Sequence, residues 1–297
     1  MIPPVNEKIT ILVTGSNGQL GSEIRQLSAK YPSYHFLFTN KDDLPVENTE
    51  ALKAFFDKQP VHFCINCAAY TAVDKAEAEA EKAFLINSDA AGALALICHD
   101  YRSKLIHIST DYVFDGTSDQ PLKEDDATAP LNVYGWSKLK GEELIFDHYP
   151  SALIIRTSWV YSEYGNNFVK TMLRLFKEKE SINVVNDQYG CPTYAADLAG
   201  VIMNFIEEMR IGTEHTGLVN YCNNGIITWY DFALAIKEFV NSSCQIVPVA
   251  TSEYPTPATR PRHSVLDTSR VRTMLKTDPP FWKDSLKKCL AILTGSK

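Results

Sequence analysis

The apolar run Ile9-Thr10-Ile11-Leu12-Val13 leads directly into Gly15, Gly18 and Gly21, and a helical pattern opens on that turn over residues 19–30. A buried strand that ends in spaced glycines and starts a helix leaves few folds open to the chain. Glycines let the backbone turn tightly and bring N–H groups to the positive end of the helix, a geometry suited to a pyrophosphate. The spacing is G-x-x-G-x-x-G rather than the commoner G-x-G-x-x-G, so the strand before it and the helix after it carry the assignment.

The same alternation continues downstream. Strands are expected at 35–39, 61–66, 104–108 and 153–156. Helices are expected at 50–58, 76–86, 90–101 and 134–146, with a break near Asn87. Short apolar strands spaced by helices predict right-handed crossovers, hence an α/β fold with a doubly wound parallel sheet of the Rossmann type. Past residue 160 the pattern loosens. Helices at 166–179, 195–209 and 228–240, a strand at 182–185, and a Pro/Thr/Ser-rich linker at 251–264 suggest a smaller C-terminal lobe. The expected division is a dinucleotide-binding domain over 1–160, with later segments returning to it, and a mainly substrate-binding lobe over 161–297.

Composition narrows the function. A formal net charge of -7 argues against a nucleic-acid partner, which calls for a basic surface. No stretch has the length or apolarity of a signal peptide or membrane helix, so a cytoplasmic protein without a membrane partner is expected. The 7 cysteines are scattered; Cys64-Ile65-Asn66-Cys67 has redox spacing but closes a strand, which reads as buried structural thiols. The 7 histidines show no metal-ligand spacing, and no metal ligands are assigned.

Chemistry concentrates at the expected strand ends. Tyr134 and Lys138 stand four residues apart on a predicted helix and so share one face. A lysine charge beside a phenol lowers its pKa and makes it a usable acid at neutral pH. Thr110, just past the fourth strand, is placed to hold the oxygen that receives the proton. After the second strand an acid normally binds the ribose 2′-hydroxyl of NAD. Here Thr39-Asn40-Lys41 stands instead, which leans toward the 2′-phosphate of NADP(H), with NAD(H) still open and Asp42 and Asp43 close by.

Together, the glycine turn, Asn66-Cys67-Ala68-Ala69, Ser109-Thr110-Asp111-Tyr112-Val113-Phe114-Asp115-Gly116 and the Tyr134/Lys138 pair resemble the extended short-chain dehydrogenase/reductases. Ala69-Tyr70-Thr71-Ala72-Val73-Asp74, Pro130-Leu131-Asn132-Val133-Tyr134-Gly135, Arg156-Thr157-Ser158-Trp159-Val160-Tyr161, Gly165-Asn166-Asn167-Phe168, Asn186-Asp187-Gln188-Tyr189-Gly190 and Tyr254-Pro255-Thr256-Pro257-Ala258-Thr259-Arg260-Pro261 narrow the resemblance to the dTDP-4-dehydrorhamnose reductase family. The resemblance implies NAD(P)H-dependent reduction of the C4 keto group of dTDP-4-dehydro-L-rhamnose to dTDP-L-rhamnose. Tyr134 would donate the proton, Lys138 would bind the nicotinamide ribose, and Thr110 would polarise the carbonyl. Gly15, Gly18, Gln19, Leu20, Gly21, Asn40, Ala69, Tyr70, Thr71 and Asn87 would line the cofactor; for Asn87, helix capping is the competing reading.

By the same resemblance Thr110, Asp111 and Trp159 would contact the dTDP-sugar, with Trp159 as an aromatic wall. Arg260 and Arg262 suit a diphosphate or, alternatively, plain solvent. Relatives also admit a homodimer and a Mg²⁺ ion at a subunit contact, which nothing in this sequence locates. Two other readings share the scaffold. A nucleotide-sugar epimerase or dehydratase would retain its NAD through the cycle, and dehydratases carry a Thr-Asp-Glu set where this chain has Thr110-Asp111-Tyr112. A non-catalytic regulatory subunit of methionine adenosyltransferase would have lost the catalytic pair, which is present here.

Overall fold

The computed structural model describes residues 8–295. In the first half, β1 (Ile9–Thr14), α1 (Gln19–Ser28), β2 (Tyr34–Phe38), α2 (Thr49–Lys58) and β3 (Phe63–Asn66) follow in strict alternation. Then come α3 (Val73–Ala76), α4 (Ala80–Phe84), α5 (Ala90–Asp100), β4 (Lys104–Thr110), α6 (Val133–His148) and β5 (Leu153–Thr157). The second half contributes β6 (Val160–Tyr161), α7 (Phe168–Glu178), β7 (Ser181–Val185), β8 (Tyr189–Gly190), β9 (Thr193–Tyr194) and α8 (Ala195–Arg210). It ends with β10 (Gly217–Asn220), β11 (Ile227–Thr228), α9 (Trp229–Phe239), β12 (Gln245–Val249), α10 (Ser269–Leu275) and α11 (Trp282–Thr294).

The main sheet runs β2-β1-β3-β4-β5-β10, all parallel. Its strands read as continuous apolar runs because both faces are covered. Ile11, Val13, Ile65, Ile106 and Ile155 pack on one side with residues of α1, α8 and α10. Leu12, Cys64, Leu105 and Ile154 pack on the other with α2, α5 and α6. The doubly wound parallel sheet expected from the sequence is the one found. A separate core joins α7, α9 and α11 with the short β7–β12 pair, around Phe232, Ile236, Trp282 and Leu286.

Three features differ from the sequence reading. The sixth strand, β10, comes from the second half; its four residues are too short a run to stand out. The Pro-rich stretch at 251–264 is no spacer. It lies against the rest of the molecule, with the Asn132 amide donating to the Thr259 carbonyl and the Ser264 N–H to that of Tyr189. Finally, the helix does not break at Asn87: a π-helical turn over Leu85–Asp89 carries α4 into α5. Such turns insert one extra residue and often sit at functional sites.

The π turn fits because α6 has no side chain where the two meet. A Cβ on Gly141 would lie 2.0 Å from the Asn87 carbonyl oxygen, and one on Gly135 would lie 2.3 Å from that of Tyr112. Gly141→Ala should therefore push α6 off the π turn and destabilise the fold by about 1–3 kcal/mol. Chemical denaturation would measure it; unchanged stability would mean the contact relaxes freely.

Candidate active site

The glycine turn has the geometry an anion cradle requires. Gly15 has φ +62°, and a Cβ there would lie 2.6 Å from the Ala68 nitrogen, so only glycine fits. Gly18 is the N-cap of α1 and offers no side chain to its first amides, which leaves that helix end for a ligand. A Cβ on Gly18 would approach only the Gly15 carbonyl, at 3.2 Å. Leu20 and Gly21 are buried beneath this turn. The Gln19 side chain is already engaged: its amide donates to the Val160 carbonyl at 3.3 Å and its oxygen accepts from Asn167 at 2.8 Å. Gln19 thus ties the turn to the second half of the chain, and only its backbone is left to face a phosphate.

At the end of β2 the Asn40 carboxamide folds into its own turn, accepting from the Asp42 N–H at 2.7 Å and donating to Asp43. The cofactor contact expected of its side chain would require that turn to open. The cation near this point is one the sequence reading passed over. Arg25 on α1 donates to the Ser16 hydroxyl at 2.8 Å and lies 4.3 Å from the Phe38 ring centroid. It escaped notice because it is distant in sequence from the end of β2; Lys41, which was considered, is exposed.

Thr110 and Tyr134 do come together. Thr110 ends β4 and is buried; its hydroxyl donates to Asp111 Oδ1 at 3.1 Å, accepts from the Tyr112 N–H at 3.2 Å, and lies near enough to the Tyr134 phenol to oppose the rise of its pKa. Tyr134 lies in the first turn of α6, which is N-capped by Asn132 accepting from the Gly135 N–H at 2.8 Å. The missing Cβ at Gly135 seats this turn on the backbone of Tyr112, whose ring meets Tyr134 edge-on at 5.6 Å. Desolvation raises the Tyr134 pKa to about 12, partly opposed by the Thr110 hydroxyl and reinforced by Asp111. Lys138 Nζ donates to the Ile108 carbonyl at 2.7 Å and lies 3.0 Å from His107 Nε2. Burial lowers its pKa to about 8, against the opposing pull of Glu142 and Cys67.

Asn87 is 1% exposed and its carboxamide is fully used. It accepts from the Tyr70 N–H at 2.8 Å and donates to the Tyr70 carbonyl at 3.0 Å and the Ser137 hydroxyl at 2.9 Å. It caps no helix and presents no side-chain atom to a cofactor. Its effect is to pin Ala69-Tyr70-Thr71, at the end of β3, against α6.

Asp111 follows Thr110 in a buried 3₁₀ turn. One carboxylate oxygen accepts from the Thr110 hydroxyl at 3.1 Å, and the other has no partner among the described residues. Burial raises its pKa from 3.8 to about 6, opposed by the nearby Ser264 and Thr110 hydroxyls. A buried, half-satisfied carboxyl group beside a tyrosine marks a functional site.

Trp159 has φ +47°, unusual for a bulky residue, and its ring stacks on Trp229 at 3.5 Å. A Cβ on Gly190 would lie 2.5 Å from the Trp159 ring, so Gly190 leaves room for it. The partner Trp229, at the start of α9, carried no signal in the sequence. Arg260 is half-buried and already paired. Its guanidinium grips Asp74 at 3.1 and 2.9 Å, so a diphosphate would have to compete with that pair. Among the described residues no cluster of three or more His, Cys, Asp or Glu is placed to hold a metal ion.

The shifted Asp111 sets a pH dependence. Between pH 3.8 and about 6 the folded chain holds a proton that the unfolded chain releases, so stability falls as pH rises through that window. The shift corresponds to roughly 3 kcal/mol. Asp111→Asn should abolish this slope in urea titrations from pH 4 to 7; an unchanged slope would place it on another group.

The family model described as the RmlD substrate binding domain matches residues 9–294. The dTDP-4-dehydrorhamnose reductase of Aggregatibacter actinomycetemcomitans is 38% identical over 288 residues, which cover 95% of this chain and 98% of that protein. A crystal structure of a dTDP-4-dehydrorhamnose reductase from Clostridium acetobutylicum superposes with a TM-score of 0.91 at 38% identity, covering 96% of this chain and 100% of the other. The Bacillus anthracis dTDP-4-dehydrorhamnose reductase, crystallised in complex with NADP, gives a TM-score of 0.90 at 37% identity, covering 96% and 99%. The match is of full length in sequence and in structure, and the chain belongs to the dTDP-4-dehydrorhamnose reductase family.

Proposed function

We propose that this chain reduces the C4 keto group of dTDP-4-dehydro-L-rhamnose to dTDP-L-rhamnose with NADPH, in the cytoplasm. The observation that carries the reading is the meeting of Thr110, at the end of β4, with Tyr134, in the first turn of α6, with Tyr134 held protonated beside the half-satisfied Asp111. In this reading residues 1–160 carry the cofactor, completed by later segments, and residues 161–297 carry most of the substrate contacts.

The glycine turn and the uncapped start of α1 suit the pyrophosphate. Arg25 and the Ser16 hydroxyl suit a 2′-phosphate, which supports NADPH over NADH. Bound NADPH supplies the hydride. Tyr134 gives its phenolic proton to the C4 oxygen, and the Thr110 hydroxyl holds that oxygen in place. A phenol with a pKa near 12 is fully protonated at neutral pH, as a proton donor must be. Lys138 meets the nicotinamide ribose, and the backbone at Ala69, Tyr70 and Thr71, fixed by Asn87, borders the cofactor. Asp111 offers its unpartnered oxygen to a sugar hydroxyl, and Trp159, backed by Trp229, walls the sugar.

Tyr134→Phe should retain the fold and NADPH affinity while turnover of the 4-keto sugar nucleotide falls by ~10²–10⁴. Near-normal turnover in that variant would remove Tyr134 as the donor. Arg25→Ala should shrink the NADPH-to-NADH ratio of kcat/KM by about tenfold, the value of one charge-assisted hydrogen bond. A ratio that does not move would place the 2′-phosphate elsewhere.

A further inference from the structure

One side chain of the glycine turn reaches into the second half of the chain and ends beside the aromatic wall. The Gln19 carboxamide donates to the Val160 carbonyl at 3.3 Å and accepts from Asn167 Nδ2 at 2.8 Å. Gly165, at φ +60°, lies against it; a Cβ there would come within 3.1 Å of Gln19 Cγ, so the glycine leaves that side chain its path. Val160 directly follows Trp159, and Asn167 directly precedes Phe168. The Trp159 ring stacks on Trp229 at 3.5 Å, and the Phe168 ring meets Trp229 at 4.7 Å. Both hydrogen bonds of one carboxamide therefore end next to a ring that packs on Trp229.

The backbone at Trp159 needs to be held. Its φ of +47° lies in the left-handed region that bulky residues avoid, and such a conformation persists only where the surroundings over-determine it. The Trp159 carbonyl accepts from the Thr193 N–H at 3.3 Å, and Val160 pairs with Thr193 in the β6–β9 ladder. With only two residues in β6, that ladder is a weak restraint by itself. Gln19 adds a second hold on the carbonyl of the very next residue. Asn167 is itself fixed: it donates to the Ser162 carbonyl at 2.7 Å and, as N-cap of α7, accepts from the Lys170 N–H at 3.0 Å.

We propose that Gln19 is a positioning residue for the sugar: its side chain holds Trp159 in the left-handed backbone and against Trp229, so the turn that takes the cofactor pyrophosphate also sets the sugar wall. Its purpose rests on the reductase reading, in which Trp159 walls the sugar. The residue then acts in two directions. Its backbone, at the start of α1, stays with the phosphate. Its carboxamide is spent on Val160 and Asn167 and acts on the sugar through Trp159. Loss of the carboxamide should therefore loosen the wall and leave cofactor binding in place, a split that a merely structural polar contact would not produce.

Gln19→Leu keeps the bulk of the side chain and removes both hydrogen bonds. With NADPH saturating, it should raise KM for the 4-keto sugar nucleotide about tenfold, with a smaller effect on kcat and no change in NADPH affinity by direct titration. Asn167→Asp keeps the cap of α7 but cannot donate to Gln19, and should move KM in the same direction. In a Trp159→Ala background Gln19→Leu should add nothing, because the residue it acts through is gone. A further readout needs no substrate. The stacked indoles of Trp159 and Trp229 couple in near-ultraviolet circular dichroism, and the signal lost in Trp159→Phe should also be lost in Gln19→Leu. That signal decides the matter even in a protein without reductase turnover, so failure here and failure of the reductase reading are told apart. An unchanged signal in folded Gln19→Leu, an unmoved KM, or a KM rise that persists in the Trp159→Ala background would overturn the proposal. So would an equal loss of NADPH affinity, which would place the effect in the turn itself.

Discussion

The close seating of α6 on the end of β4 is the contact on which the site depends. It exists because two positions of α6 have no Cβ: Gly135 rests on the Tyr112 backbone and Gly141 on the Asn87 carbonyl. With larger residues the helix would ride outward, and Tyr134 would leave the Thr110 hydroxyl. The same approach lets Ser137 reach Asn87 and Lys138 reach the Ile108 carbonyl. One packing distance thus sets these three contacts, and interiors are too dense to let such a distance drift.

Burial then decides protonation more than neighbouring charge does. Tyr134, Lys138, Asp111 and His107 are all displaced toward their neutral forms, and desolvation is the leading cause for each. At neutral pH Lys138 and Asp111 are brought near their titration points without being discharged, so charge introduced by a ligand acts on both in a buried setting where such interactions are strong.

Much of this was legible in the chain. The strand-glycine-helix order, the parallel sheet and the meeting of Thr110 with Tyr134 follow from local patterns, because strand ends and helix starts are local features. Where the reading fell short, the determinant was distant in sequence. Helical spacing puts Lys138 on the Tyr134 face but says nothing of the partners of its Nζ, which come from β4. Asn87 read as a break because a π turn has no composition of its own and depends on a glycine in another helix. Arg260 read as free because Asp74, its partner, lies in the opposite half of the chain. Trp229 was invisible until its stacking on Trp159 placed it.

The late strand β10 has a consequence for synthesis. The edge of β5 stays open until Gly217–Asn220 emerge and pair with it. A nascent chain that has already made the glycine turn, Thr110 and Tyr134 therefore still carries an unfinished sheet edge, a surface that invites mispairing. α8, which packs beside α1 on the same face of the sheet, arrives only shortly before. Formation of the site is thereby tied to delivery of the second half of the chain, and a release of the first half alone leaves the α1 face of the sheet only partly covered.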